Sequence, residues 1–244
     1  MLHGLTAVAD VWGPTVACLQ PRPTCRALDQ RGHGESHPER GGWTIAAYVR
    51  DACEYIAQAG SARPHLVGHS MGARVAMVLA AQHPELIRSV AIVEIGPEQW
   101  KANWENSITA FDALPDSFVD EAAALKFAGS RTASSPVGTG MFLARLRPAP
   151  GGGLTWRADR EALRATVRSH RSRNFWRQWE SIGVPALFVR GGTSYEVRLR
   201  IAKEMRRRNP EVEWAELEGV SHNVPLIAPE RLARTLCQFW ATHP

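Results

Sequence analysis

Residues 65–77 read HLVGHSMGARVAM, and this stretch decides the fold. Pro64 closes a loop and His65-Leu66-Val67-Gly68 is a short strand candidate. Ala73 to Gln82 is an alanine-rich helix candidate, with Val75, Val78 and Leu79 apolar, that ends before Pro84. Ser70 stands between Gly68 and Gly72, in the pattern G-x-S-x-G. That pattern requires a very tight turn from strand to helix, with flanking glycines that let the two elements approach without Cβ clashes. The turn lifts the serine Oγ above a sheet, and the helix N-terminus beneath it favours developing negative charge.

Strand and helix alternate outward from this point. Thr24 to Ala27 is a short extended segment that leads into the glycine-rich loop DQRGHGES, and Thr44 to Gln58 has helical spacing of apolar residues. Ser89 to Ile95 is a β-branched run suited to a buried parallel strand. Pro185 to Val189 is another, followed by a helix from Val197 to Arg208, a strand from Val212 to Leu217 and a closing helix from Pro229 to Ala241. The expected fold is α/β, an open and mostly parallel sheet with flanking helices. A helix-rich interruption divides it, so the expected organisation is a core of 1–96 and 182–244 with a cap or lid of 97–181.

The 244 residues suit one large α/β domain, and 44% hydrophobic with 22% charged content is that of an ordinary globular chain. No apolar run approaches the roughly 20 residues needed to span a bilayer, and the first residues show no secretory signal pattern. The four cysteines have no metal-ligand spacing. These features lead to the expectation of a cytoplasmic protein with no metal, no cofactor and no membrane partner.

The net charge is +5, and all but three of the 29 basic residues are arginine. Seven arginines crowd between Arg157 and Arg177, and Arg160, Arg164, Arg168 and Arg171 would share one face of a helix. That face is either solvated or an anion-attracting wall; Arg164 and Arg168 are the candidates for contact with an anionic substrate. No aromatic-basic pattern accompanies them, so nucleic acid is not an expected partner. Trp104 and Phe142 are candidate substrate contacts among the aromatics of the interruption, which otherwise serve packing.

Serine is a weak nucleophile at neutral pH and needs a positioned base. His222, in EGVSHNVPLIAPERL between the last strand and the last helix, is the best placed. His69 is expected to point away from the turn, and His33 to be structural.

The chain resembles the α/β-hydrolase superfamily. The resemblance rests on His3-Gly4, DQRGHGES, GHSMGAR, VAIVEIGPE, PALFVRGGTS and GVSHNVPLIAPERL, in the superfamily's order. It is most similar to small serine esterases that carry a D-I-x-P segment after the nucleophile helix. The resemblance implies that Ser70 attacks an ester, thioester or lactone carbonyl and that His222 relays the proton. It also implies an oxyanion hole from the backbone N–H groups of Met71 and Leu5. The loop RGGTSYEV has no aspartate where most members place their acid, so the expected acid is Glu94, at the D-I-x-P position, with Glu196 as the alternative. A lyase-type enzyme on the same fold, or a ligand-binding protein with a vestigial triad, are the alternatives. By the same resemblance only Met1 and Leu2 precede the His-Gly pair where two strands are usual. A chain that begins at Met1 is therefore expected to be poorly stable or oligomeric.

Overall fold

The computed structural model describes residues 1–36, 42–60, 63–98, 109, 112–129, 136–170 and 174–244. Its main sheet is built from β1 (His65–His69), β2 (Ser89–Val93), β6 (Ala186–Gly191) and β7 (Glu213–Leu217), all parallel and in the spatial order β1-β2-β6-β7. Every residue of β2 and β6 is buried, as expected for strands covered on both faces. The pleat divides them between two cores. Val90, Ile92, Ala186 and Phe188 face one side, while Ala91, Val93, Leu187 and Val189 face the other.

Helices fill both sides. α1 (Gly13–Ala17), α2 (Ile45–Gln58) and α3 (Met71–Gln82) precede β2. Thr44 caps α2, its Oγ1 accepting from the Ala47 N–H at 3.3 Å, and α2 packs Tyr48, Val49 and Ala52 against α3. α3 begins at Met71, two residues before the expected start, because the turn at Ser70 is tighter than apolar spacing reveals. The segment at Thr24–Ala27 forms no strand ladder. Leu28 instead bridges Leu2, and Leu2 also bridges Gly68, so the first two residues lie between that segment and β1. Leu2 donates to the Val67 carbonyl at 2.8 Å and accepts from the His69 N–H at 3.0 Å.

Between β2 and β6 lie α4 (Glu121–Gly129), α5 (Pro136–Leu143), α6 (Arg160–His170) and α7 (Trp176–Glu180). This region also holds a small antiparallel sheet that the sequence did not reveal: β3 (Ser117–Phe118), β4 (Leu146–Pro148) and β5 (Leu154–Trp156), in the order β3-β5-β4. Its strands are too short to leave a periodic signal. The glycine run at 151–153 is the turn between β4 and β5, with Gly153 at φ +73 and its carbonyl accepting from the Ala149 N–H. Phe118, Phe127, Phe142 and Trp156 cluster beside it in tilted and edge-to-face pairs, with ring centroids 5.4–6.4 Å apart. α8 (Leu199–Arg208), α9 (Val224–Ile227) and α10 (Pro229–Thr242) complete the chain. No helix among the described residues is long and apolar enough to cross a membrane.

Parallel strands put all their carboxyl ends on one edge. Ser70 follows β1, Glu94 follows β2, Ser194 lies beyond β6 and His222 beyond β7. The topology thus gathers four segments that are far apart in sequence.

Candidate active site

Ser70 occupies the left-handed region at φ 54, ψ −118, between the last residue of β1 and the first of α3. The sheet holds it there, since its N–H donates to the Val93 carbonyl at 2.9 Å. The flanking glycines serve close approach. A Cβ on Gly68 would overlap the Gly72 carbonyl, and a Cβ on Gly72 would overlap the Leu2 carbonyl.

His222 and Glu94 meet Ser70 in an unbroken chain. His222 Nε2 is 3.0 Å from Ser70 Oγ, and His222 Nδ1 is 3.2 Å from Glu94 Oε2. The carboxylate can only accept, so Nδ1 carries the proton and Nε2 presents a lone pair to the serine hydroxyl. Glu94 is fully buried and also has a positive φ, 58°, which turns its backbone sharply at the end of β2. Its other bonds come from the stretch RGGTSYEV, which sequence reasoning searched only for an acid. Gly191 N–H donates to Oε1 at 2.7 Å and Ser194 Oγ donates to Oε2 at 2.8 Å, while Ser194 itself accepts from the Val197 N–H. The loop that lacks an aspartate therefore supplies donors to a carboxylate on the neighbouring strand. Glu196 lines the same cavity, where its charge acts on Arg74.

His69 departs from its expected direction. It lines the cavity, its ring centroid is 5.0 Å from that of His222, and Nε2 donates to the His222 carbonyl at 2.8 Å. Its Nδ1 has no partner among the described residues. The strand places this side chain toward the loop after β7, which a reading of β1 alone does not reveal. Burial first, and then the charge of His222, push its pKa down to about 3. His3 is buried between the Gly4 carbonyl and the Gln30 N–H, and burial likewise holds it well below the usual histidine range, with the charge of His33 adding to the effect. The His33 Nε2 bonds the Leu5 carbonyl and anchors the turn that follows Gly4.

His3, His33 and His69 all have folded pKa values depressed chiefly by burial, so each takes up a proton on unfolding below about pH 6.5, the unfolded value. Stability is complete above that pH and falls as the solution is acidified toward the folded values. Each histidine contributes a slope of up to about 1.4 kcal/mol per pH unit. Urea midpoints measured from pH 7 to 4.5 should fall steadily, and His69→Gln should flatten the fall by up to one proton. Identical slopes in the two proteins would show that His69 is not buried neutral.

A cavity of about 360 Å³ opens over Ser70. Met71 and Leu5 line it beside the serine, and neither N–H has a backbone partner among the described residues. Gly4 makes this closeness possible, since a Cβ there would press on His69 Nδ1 and Ser70 Cβ. Phe142 lines the far wall with Phe127 and Trp156. Trp104 lies outside the described residues. Arg164 and Arg168 are not part of the lining. Arg164 turns to Asp112, with Nε 2.6 Å from Oδ1, and Arg168 is exposed. α6 is amphipathic, and its apolar residues Leu163 and Val167 take the cavity side, carrying Arg160 to the rim, where it pairs with Asp116. Helical spacing identified a shared face; the core chose a different one. No group of three or more His, Cys, Asp or Glu among the described residues could hold a metal ion.

The chain is 28% identical to 2-(acetamidomethylene)succinate hydrolase of Mesorhizobium japonicum, over 97% of this chain and 85% of that protein. It is also 28% identical to an sn-1-specific diacylglycerol lipase of Mus musculus, over 98% of this chain and 80% of that one. The crystal structure of E-2-(acetamidomethylene)succinate hydrolase superposes with a TM-score of 0.91 at 27% identity, covering 98% of this chain and 90% of that one. Both relatives are named for hydrolysis or lipolysis, and the sequence matches the family pattern from residue 1 to residue 235. With strands, elbow and histidine loop in this arrangement, the chain belongs to the alpha/beta hydrolase family.

Proposed function

We propose that this protein is a serine hydrolase that cleaves a carboxylic ester, thioester or lactone through an acyl-enzyme on Ser70. The observation that carries the reading is the continuous contact from Glu94 through His222 to Ser70. Ser70 Oγ attacks the carbonyl carbon while His222 Nε2 takes its proton, and Glu94 steadies the resulting imidazolium through Nδ1–H. The carbonyl oxygen becomes an oxyanion held by the Met71 and Leu5 N–H groups, an arrangement in which one donor is typically worth about 2.7–4 kcal/mol. His222 then returns the proton to the leaving oxygen or sulfur. Water, deprotonated by His222, attacks the acyl-enzyme, and the acid departs with Ser70 restored.

Residues 97–181 act as the cap in this reading, with Phe142 in contact with the acyl group, and the chemistry requires no cofactor. The position of Glu94 corresponds to the D-I-x-P segment of the small serine esterases that the sequence resembles. The relatives' names range from a succinate derivative to a diacylglycerol, so the reading ends at the class of carbonyl compound. A fluorophosphonate probe should modify the folded protein on one serine, located at Ser70 by peptide mass spectrometry, and 4-nitrophenyl acetate should be turned over. A folded protein that takes no label, or takes it elsewhere, would exclude the mechanism.

A further inference from the structure

Three of the described arginines line the cavity; Arg160 pairs with Asp116 at the rim, and the other two keep different company. Arg74, one turn into α3, is buried. Its Nη2 donates to the Gly96 carbonyl at 3.4 Å, its guanidinium stands 5.3 Å from the Phe175 ring centroid, and the Glu196 charge acts on it. Arg145 stands just before β4, on a pinned backbone. Its N–H donates to the Phe142 carbonyl at 3.1 Å, and its carbonyl accepts from the Arg157 N–H at 2.7 Å. Its side chain reaches Thr6 Oγ1 at 3.4 Å, next to Leu5.

No carboxylate among the described residues stands against Arg145. Burial lowers its pKa, and no acidic neighbour offsets that effect. Its positive charge acts on His3 and His69, and both are held neutral by burial. The wall around the reacting serine therefore carries a cation that no carboxylate among the described residues compensates. A partly desolvated cation without a counter-charge is costly, and an anion delivered by the ligand removes that cost. One guanidinium presents a planar fork that matches one carboxylate with two parallel hydrogen bonds.

From this geometry we infer that Arg145 determines specificity by binding a carboxylate on the substrate, a few bonds from the scissile carbonyl. The inference rests on the hydrolase reading and narrows it to anionic acyl compounds. It also relocates the anion contact expected at Arg164 and Arg168 to a residue outside that helix.

The test compares monoethyl glutarate with its neutral counterpart ethyl hexanoate, followed by pH-stat, in wild type, Arg145→Gln and Arg145→Lys. Wild type should favour the anionic ester by about 30-fold in kcat/KM, the yield of a hydrogen bond to a charged group. Arg145→Gln should bring the two esters near parity, and Arg145→Lys should keep part of the preference. Should Arg145→Gln fail to fold, Arg145→Lys carries the comparison. A wild type without preference, or a preference that survives Arg145→Gln, overturns the inference and leaves the hydrolase reading standing. Calorimetry of monoethyl glutarate with Ser70→Ala separates the opposite case. Binding that is lost when Arg145→Gln is added, in a protein that hydrolyses neither ester, would uphold the carboxylate site and reject the hydrolase reading. Absence of both turnover and binding rejects both.

Discussion

Ser70→Ala is expected to lower kcat by about 10⁶-fold, the scale seen when an acyl-transfer nucleophile is deleted. His222 and Glu94 remain hydrogen-bonded in the variant, but no atom is left to form the acyl-enzyme. If Met71 and Leu5 form the proposed oxyanion hole, their donors still face the carbonyl in the variant, and a residual rate of about 10³–10⁴ over water should persist. The fold should be indifferent. Alanine meets the same backbone strain at φ 54 that serine does, and among the described residues the hydroxyl bonds only His222. Initial rates with 4-nitrophenyl acetate, beside a thermal melt within a few degrees of wild type, provide the check. A loss below about 10²-fold would remove Ser70 from the role of nucleophile.

Glu94→Gln should cost about 10⁴-fold in kcat through the tautomer of His222. A glutamine can still accept from the Gly191 N–H through its carbonyl oxygen, so the end of β6 keeps its anchor. Its amide group then faces both Ser194 Oγ and His222 Nδ1, where the carboxylate accepted from each. An N–H aimed at Nδ1 makes that nitrogen the acceptor and moves the proton to Nε2, which can no longer receive the Ser70 proton. Glu196→Gln serves as the contrast, because the carboxylate that meets His222 Nδ1 is that of Glu94, while the Glu196 charge acts on Arg74. Its effect should be confined to KM. A Glu94→Gln enzyme within a few-fold of wild type would show that Glu94 is not the acid.

The parallel sheet was legible because β2 and β6 consist of short runs of apolar residues buried on both faces. Ser70 and His222 were legible for another reason: each lies in a loop directly after a strand, where topology alone delivers it to the common edge. The acid was legible only as a preference for Glu94, because the chain also offers Glu196, and the two follow adjacent strands. The choice depends on a Ser194 hydroxyl and a Gly191 N–H, whose partners are about a hundred residues away. The arginine face stayed open between solvent and substrate because periodicity gives a shared side without its direction. Leu163 and Val167 set that direction by turning to the cavity. Arg145 left no signal that set it apart from the nearby Arg147, and its significance lies in what does not surround it among the described residues.

Ser70 and Glu94 are the non-glycine residues with positive φ among those described, and they follow adjacent strands. Each such conformation works against the chain by about 1–3 kcal/mol. The centre of the sheet must therefore be stiffer than folding alone demands, since any slackening of β1 or β2 would let both residues relax to ordinary dihedrals. Random substitutions that loosen Val90, Ile92 or Phe188 should thus be screened out by lost turnover before any loss of solubility is seen. The tolerance of this core to sequence drift is set by its edge.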